Sequence, residues 1–262
     1  MPWARALLSG LFLSCSVFSN ETIRLTNGEW PPFLSENLAH HGYASHLVSE
    51  AFATVGVEVE YGFFPWKRSF QYAKDGISSS GEIWHGSVVW MYNEERAKVF
   101  TYSDVLMTDH QVLFYLHSNP VEWNVVDDLN GKTIGGTLHT YYPLLEYADK
   151  KGIIRLERAR DYQTLFTRLL AGRIDAVPHN YSVGLYFINN HLSEEQRERV
   201  TYSPTEMHKN PYYLILSNNI PENQKYKKLF NQGLKNIKAN GTYRKLQNNL
   251  EQGMYDRPLV NE

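Results

Sequence analysis

The sequence has almost no cysteine and no excess of basic residues. Cys15 is the single cysteine among 262 residues, so no intramolecular disulfide can form and the fold depends on its hydrophobic core. Lys and Arg number 26 against 28 Asp and Glu, a formal net charge of −2. A nucleic-acid-binding protein is expected to carry a basic face. The composition therefore argues against a nucleic-acid partner.

Signatures of catalysis are also missing. The sequence contains no Gly-x-Ser-x-Gly elbow and no phosphate-binding glycine loop, and it has no cysteine after residue 19. His40, His41 and His46 are close together, but no carboxylate or cysteine spacing supports a metal site there. We therefore expect a protein that is not an enzyme and that uses no cofactor or metal.

Residues 1–19 are typical of a secretory signal peptide. Arg5 supplies the positive charge, residues 6–13 form an apolar run too short to span a bilayer, and residues 17–19 form a small-residue cleavage site. Removal of this segment would leave 25 basic residues against 28 acidic ones, a charge of about −3. Alternatively, residues 12–15 loosely resemble a lipobox, although Phe12 replaces its usual Leu, and Cys15 would then carry a lipid anchor. Both interpretations predict export.

The rest of the chain alternates between strand and helix patterns. A period of two predicts strands, and apolar residues at i, i+3, i+4 and i+7 predict helices, as in the stripe that runs from Ala44 to Val55 and ends at Gly56. The predicted strands are 22–26, 57–61, 83–90, 111–115, 132–135, 153–156, 175–177 and 212–216. The predicted helices are 44–55, 65–73, 142–151, 165–171, 182–190, 226–240 and 243–250. Alternating βα units predict an α/β fold with mainly parallel sheets covered by helices.

One segment carries a resemblance to a known family. Arg96 lies between an apolar run and an aromatic-polar run, in Trp90-Met-Tyr-Asn-Glu-Glu-Arg-Ala-Lys-Val-Phe-Thr-Tyr-Ser-Asp104. This segment resembles the signature of family 3 periplasmic solute-binding proteins, the amino-acid-binding components of bacterial ABC importers. The resemblance implies that Arg96 holds the ligand carboxylate, for which the planar guanidinium offers a matching fork of donors. The alternative is a surface arginine paired with Glu94 or Glu95.

The resemblance extends from about Thr22 to Tyr255 and implies an architecture. It implies the two-lobed periplasmic-binding-protein type II fold, with parallel-dominated sheets, flanking helices and a hinge of two segments. Lobe 1 would comprise residues 21–108 and 210–262, and lobe 2 residues 109–209. A ligand bound between the lobes would favour closure. The resemblance also implies a monomer.

A second segment resembles the strand, loop and helix that complete the carboxylate site in that family. It reads Gly131-Lys-Thr-Ile-Gly-Gly-Thr-Leu-His-Thr-Tyr141. Thr140 matches the first hydroxyl position, His139 replaces the usual Gly, and Tyr141 replaces the second hydroxyl. Free N–H groups at a helix start favour an anion, so all three residues are ligand-binding candidates. The alternative role for Thr140 is an ordinary N-cap.

A third segment resembles a family pattern that ends in an aspartate, but here the last residue is an asparagine. It reads Leu169-Leu-Ala-Gly-Arg-Ile-Asp-Ala-Val-Pro-His-Asn180. In the family that aspartate receives the ligand's ammonium group. The Asn180 amide keeps an acceptor oxygen but loses the charge, which weakens attraction to an ammonium. Asn180 is therefore predicted to contact the ligand by hydrogen bonding, or alternatively to cap the following helix. Asp175 is expected to be structural.

Aromatic residues in two loops are candidates for the walls of the cleft. Trp30 matches the position where the family places an aromatic over the ligand. Trp66 could form a second wall, and Lys67 or Arg68 could add positive charge. The alternative for each aromatic residue is core packing.

The sequence thus predicts an exported, periplasmic protein that captures an amino acid or a related small carboxylate-bearing solute for an ABC permease. Two alternatives remain open at this stage. The same fold could present its closed form to a membrane-bound sensor, or it could resemble cyclohexadienyl dehydratases, which use a cleft carboxylate as a proton donor.

Overall fold

The computed structural model describes residues 21–138 and 140–256. The predicted signal peptide, Cys15 and His139 lie outside these residues. Strands are β1 (Glu21–Asn27), β2 (Val57–Phe63), β3 (Gly86–Trp90), β4 (Phe100–Tyr102), β5 (Met107–Leu116), β6 (Thr133–Thr137), β7 (Arg155–Ala159), β8 (Ala176–Asn180), β9 (Val200–Tyr202) and β10 (His208–Ser217). Helices are α1 (Tyr43–Ala53), α2 (Trp66–Asp75), α3 (Glu94–Ala97), α4 (Pro143–Lys150), α5 (Tyr162–Leu170), α6 (Tyr181–His191), α7 (Glu194–Glu198), α8 (Asn223–Ala239) and α9 (Thr242–Glu251). None of the helices within these ranges is long and apolar enough to cross a membrane.

The strands form one continuous path in the order β2-β1-β3-β10-β5-β8-β6-β7. β4 pairs with β10, and β9 pairs with β5. The pairs β1–β2, β1–β3, β6–β7 and β6–β8 are parallel and lie toward the two ends of the path. The strands between these ends, β3-β10-β5-β8, pair in antiparallel fashion. The predicted α/β class is confirmed.

Two ten-residue strands, β5 and β10, connect the two ends of the sheet. In β10, Tyr213 to Ser217 pair with β3 and β4, whereas His208 to Tyr212 pair with β5. In β5, residues Met107 to Gln111 pair with β10, and residues Gln111 to Tyr115 pair with β8. The chain therefore passes twice between the two ends of the sheet, at the positions where the sequence predicts the hinge. The boundaries of the lobes remain a prediction.

The hydrophobic core is divided in the same way as the sheet. One cluster packs β1, β3 and β10 against α1, α8 and α9, and includes Leu47, Phe52 and Phe230. Two further clusters cover the opposite faces of the other end of the sheet. One contains Phe114 and Phe166, and the other contains Leu113 and Trp123.

The contact between α1 and α8 depends on a glycine. A Cβ atom added to Gly233 would lie 2.0 Å from the backbone oxygen of Ala51. The apolar stripe predicted for the first helix is buried here, since Leu47, Val48, Ala51 and Phe52 are inaccessible to solvent. Phe52 packs against Phe230 with ring centroids 5.2 Å apart.

Some predicted elements begin at different residues. The strand predicted to start at Ile83 starts at Gly86. Ile83 lies before the strand, forms an isolated bridge with Ile77 and is 50% exposed. The strand predicted for 153–156 lies at Arg155–Ala159 because Ile153 donates its N–H to the Ala148 carbonyl and finishes the turn after α4. Pro65 precedes α2 and does not form its first residue.

Candidate ligand-binding site

A pocket of about 330 Å³ opens beside the carboxyl end of β3. Three tryptophans, one tyrosine and one arginine contribute most of its wall. The lining residues are Trp30, Trp66, Val89, Trp90, Met91, Arg96 and Tyr212. Three of the residues predicted from the sequence, Trp30, Trp66 and Arg96, are therefore brought together.

Arg96 is held in position by its own loop. Asn93 caps the short helix α3 by accepting the Arg96 N–H at 3.0 Å, and Arg96 Nη1 donates to the Met91 carbonyl at 2.6 Å. The guanidinium carbon lies 4.7 Å from the centre of the Trp90 ring. Among the described residues, no other hydrogen bond engages the guanidinium, which leaves Nε and Nη2 as donors for a carboxylate.

The alternative of a surface ion pair for Arg96 is not what the structure shows. Glu95 instead pairs with Lys98, whose Nζ lies 2.6 Å from Glu95 Oε2. Within residues 21–138 and 140–256, no ion pair joins Arg96 to Glu94 or Glu95.

Trp66 and Trp90 form adjoining walls of the pocket. The Trp66 ring lies against Gly28, where an added Cβ atom would come within 2.4 Å of the indole. Trp66 Nε1 donates to the Glu29 carbonyl at 3.2 Å, and Trp90 Nε1 donates to Ser87 Oγ at 2.8 Å. The two rings are nearly perpendicular, at 87° and 5.5 Å. Both indole N–H groups are satisfied by protein acceptors.

Trp30 and Tyr212 form a second pair of walls. Their rings are 5.3 Å apart at 66°, and Trp30 also packs edge-on against Phe33 at 5.0 Å. Trp30 is partly buried against the core as well as lining the pocket. The two roles proposed from the sequence, core packing and cleft wall, are therefore combined in one residue.

Asn180 lies at the end of β8 and connects to the pocket through Tyr212. Its Nδ2 donates to Tyr212 Oη at 3.2 Å and to Asp109 Oδ2 at 3.1 Å. Asn180 occupies the position before α6, but its side chain makes no capping hydrogen bond. The alternative role as a side-chain cap is therefore wrong, because the amide is bound to Asp109 and Tyr212.

Asp109 is a buried acid that sequence reasoning missed. It is 3% exposed, and Ser182 Oγ donates to its Oδ1 at 3.3 Å. Burial raises the pKa of this carboxyl, and the hydrogen bond from Asn180 opposes that shift. None of the ion pairs among the described residues includes Asp109. A signal in the sequence could have been its place at the predicted boundary between the two lobes, where lobe 2 begins.

Thr140 and Tyr141 lie on the loop after β6 and do not line this pocket. Thr137 Oγ1 donates to Thr140 Oγ1 at 2.6 Å, and Arg158 Nη1 donates to the Thr140 carbonyl at 2.9 Å. The N-cap role for Thr140 is wrong, because α4 begins at Pro143 and Tyr142 holds the cap position. Tyr141 is 74% exposed. Arg68 is exposed on α2 and is likewise not part of the pocket.

Other sequence candidates have structural roles. Asp175 Oδ2 accepts the Thr133 N–H at 2.7 Å, as expected for a structural residue. His40 and His46 stack with ring centres 3.7 Å apart. In the described part of the chain, no group of three or more histidine, cysteine or acidic residues could hold a metal ion.

Trp90, Val89 and Tyr212 are pocket residues that the sequence did not assign as such. Val89 has a φ of +65°, which a β-branched residue rarely adopts. Backbone strain of this kind occurs preferentially at ligand sites. Trp90 could have been noticed because it ends the strand just before Arg96. Nothing in the local sequence around Tyr212 indicates that it reaches the same pocket.

This fold and site define a member of a binding-protein family. The model of the bacterial extracellular solute-binding proteins, family 3, matches residues 23–250, and the chain belongs to that family. The enzyme alternative is not favoured by this match. A comparison with curated proteins found no match.

Solved structures share the fold. The second substrate-binding domain of a proposed amino acid ABC transporter from Streptococcus pneumoniae has a TM-score of 0.71 at 20% identity, over 87% of this chain and 98% of that one. Substrate-binding domain 2 of Lactococcus lactis GlnP, in an open conformation, has a TM-score of 0.70 at 17% identity, over 88% and 95%. An ancestral amino-acid-binding protein that is a precursor of cyclohexadienyl dehydratase has a TM-score of 0.56 at 20% identity, over 87% and 95%.

Proposed function

We propose that this protein captures an amino acid or a related small carboxylate-bearing solute and delivers it to an ABC permease from the periplasmic side. The observation that carries the proposal is Arg96, whose side chain lines an aromatic pocket with two nitrogens available to a carboxylate. An arginine positioned by a backbone carbonyl and an aromatic face loses little freedom when it binds an anion.

The comparisons support delivery to a permease. The family is one of extracellular solute-binding proteins, and the structural neighbours include domains of amino acid ABC transporters. One neighbour, AbpA from Streptococcus pneumoniae, was solved bound to L-arginine, with 18% identity and a TM-score of 0.59. We propose that residues 21–108 with 210–262, and 109–209, act as two lobes around the pocket. Asn180, Thr140 and Tyr141 would approach the ligand from the second lobe on closure.

Substitution of Arg96 tests the proposal. We expect Arg96→Ala to weaken binding of a carboxylate solute by about 2–5 kcal/mol, because a desolvated charge would lose its partner. Arg96→Lys should recover only part of the affinity, since a lysine cannot form the two-pronged contact. Isothermal titration calorimetry measures both.

Arg160→Ala is the matched control, because Arg160 is exposed and pairs only with its neighbour Asp161 among the described ion pairs. The control should bind like the wild type. Equal affinity of Arg96→Ala and wild type for every carboxylate that binds would refute the proposed role of Arg96.

A further inference from the structure

The aromatic walls of the pocket face in different directions. Trp66 and Trp90 meet at 87°, and Trp30 and Tyr212 meet at 66°. A flat ligand group can stack on one ring only, whereas a compact, rounded group can contact several rings at once. The geometry therefore favours a rounded group.

The rings also present faces that can attract a cation. One face of Trp66 covers Gly28, so the ring is anchored on one side and its other face is the one that a ligand can contact. Trp90 carries the Arg96 guanidinium at 4.7 Å, which places a bound carboxylate next to these rings. The faces of aromatic rings are negative and attract cations, most strongly for tryptophan.

The pocket offers no carboxylate among its described lining residues to pair with a primary ammonium. The nearby carboxylate of Asp109 already accepts hydrogen bonds from Asn180 and Ser182, and Asn180 also donates to Tyr212. A primary ammonium carries three N–H donors that need acceptors when they leave water. A quaternary ammonium carries none, and aromatic faces are sufficient to bind it.

We infer that the ligand is a zwitterion whose cationic end is a quaternary, N-methylated ammonium held by Trp30, Trp66 and Tyr212. Its carboxylate lies on Arg96. This inference rests on the proposed function and narrows its ligand class.

Matched pairs of ligands test the inference by calorimetry on the mature protein. Glycine is compared with glycine betaine, and 4-aminobutyrate with γ-butyrobetaine, so that each pair differs only in N-methylation. A third probe, 3,3-dimethylbutyrate, has the shape and the carboxylate of glycine betaine but lacks its positive charge. We expect at least one betaine to bind about tenfold or more tightly than its amine. If that betaine is glycine betaine, the protein should also bind it more tightly than 3,3-dimethylbutyrate by a similar factor.

Variants of the walls provide the second measurement. Trp66→Leu keeps an apolar wall but removes the π face, and should lower the affinity for the betaine about tenfold or more. Binding of 3,3-dimethylbutyrate should change far less. Tyr147→Leu, at an exposed tyrosine on α4 outside the pocket, is the control and should bind as the wild type does. Circular dichroism melting shows whether each variant folds.

The outcomes separate this inference from the proposed function. The cation-binding role of the walls is wrong if each amine binds as tightly as its betaine. It is also wrong if 3,3-dimethylbutyrate binds as tightly as glycine betaine. Arg96-dependent binding of an ordinary amino acid would then leave the proposed function intact. If none of the betaines, amines or standard amino acids binds in an Arg96-dependent way, both are refuted.

Discussion

Arg96 illustrates how a single side chain is positioned by its neighbours in the sequence. The Asn93 cap sets the start of α3, the Met91 carbonyl accepts from Nη1, and the Trp90 ring supports the guanidinium. Each contact comes from within six residues of Arg96. This local construction explains how a motif within one loop can place Arg96 at the pocket, whereas its role in binding a ligand remains a prediction.

Gly28 provides a test at the residue scale. We expect Gly28→Ala to lower stability by about 1–3 kcal/mol and to weaken ligand binding, because the new Cβ atom would lie 2.4 Å from the Trp66 ring and displace it. Denaturant unfolding and calorimetry measure the two effects.

A double-mutant cycle with Trp66→Ala serves as the control for this prediction. If the collision with the ring is the cause, the alanine at position 28 should cost little stability once the ring is absent. Additive effects of the two substitutions would contradict that cause.

Asn180 shows where the sequence was insufficient at this scale. The motif predicted a ligand contact for Asn180. It could not reveal that the Asn180 amide donates to Asp109, which lies 71 residues away along the chain. The asparagine allows a buried carboxylate to be satisfied by a neutral donor. An aspartate at position 180 would instead place two carboxylates side by side.

At the scale of elements, helix α1 is joined to the last described residues of the chain. His46 Nδ1 lies 2.9 Å from the Tyr255 hydroxyl, and Tyr43 packs against the Tyr255 ring with centroids 5.7 Å apart. Burial lowers the pKa of His46, and together with the smaller contributions of the His40 and Lys245 charges it brings this pKa to about 4. The histidine in this contact is therefore neutral near pH 7.

This contact predicts a dependence of stability on pH. The pKa of His46 is lower in the folded protein than its ordinary value, so the stabilisation is present above pH ~6.5 and is lost as the pH falls toward about 4. We expect His46→Gln to flatten the fall of the melting temperature across this window. Differential scanning calorimetry at several pH values measures it.

The control for this prediction is His117→Gln, at an exposed histidine after β5. That variant should keep the wild-type pH profile. A profile of His46→Gln that is parallel to the wild type would show that His46 does not control the response.

Element types were more predictable than element limits. The stripe in α1 and the alternation in β2 depend on local periodicity and were predicted correctly. The starts of β3 and β7 were misplaced, because Ile83 and Ile153 take part in local contacts with Ile77 and Ala148 just before each strand. A short apolar run therefore does not by itself show where a strand begins.

At the scale of the whole molecule, β5 and β10 are the two passages between the ends of the sheet. Two passages of this kind allow the ends to rotate as units, with a ligand favouring the closed arrangement. The pocket lies next to this region because Tyr212, in β10, contributes to its wall.

Closure of the two predicted lobes around a ligand can be tested in solution. We expect the radius of gyration from small-angle X-ray scattering to fall when a carboxylate solute saturates the wild type, and the protein to gain about 2.7 kcal/mol of stability at a hundredfold excess over Kd. Arg96→Ala at the same solute concentration should show a clearly smaller change in both quantities, because its weaker binding lowers the occupied fraction. A saturated wild type with an unchanged radius would argue against hinge closure.

The sequence by itself determined the α/β class and the family, and it predicted Arg96 as a carboxylate-binding residue, because these follow from local periodicity and from motifs within single loops. Only the tertiary structure revealed that Trp30, Trp66, Trp90 and Tyr212 share one pocket and that Asn180 is bound to Asp109. Thr140 and Arg68, which the sequence placed in the site, lie outside this pocket. The physical reason is that these side chains come from a loop, a helix and strands that are far apart in the chain, and only the tertiary fold, including the strand pairing, determines which of them meet.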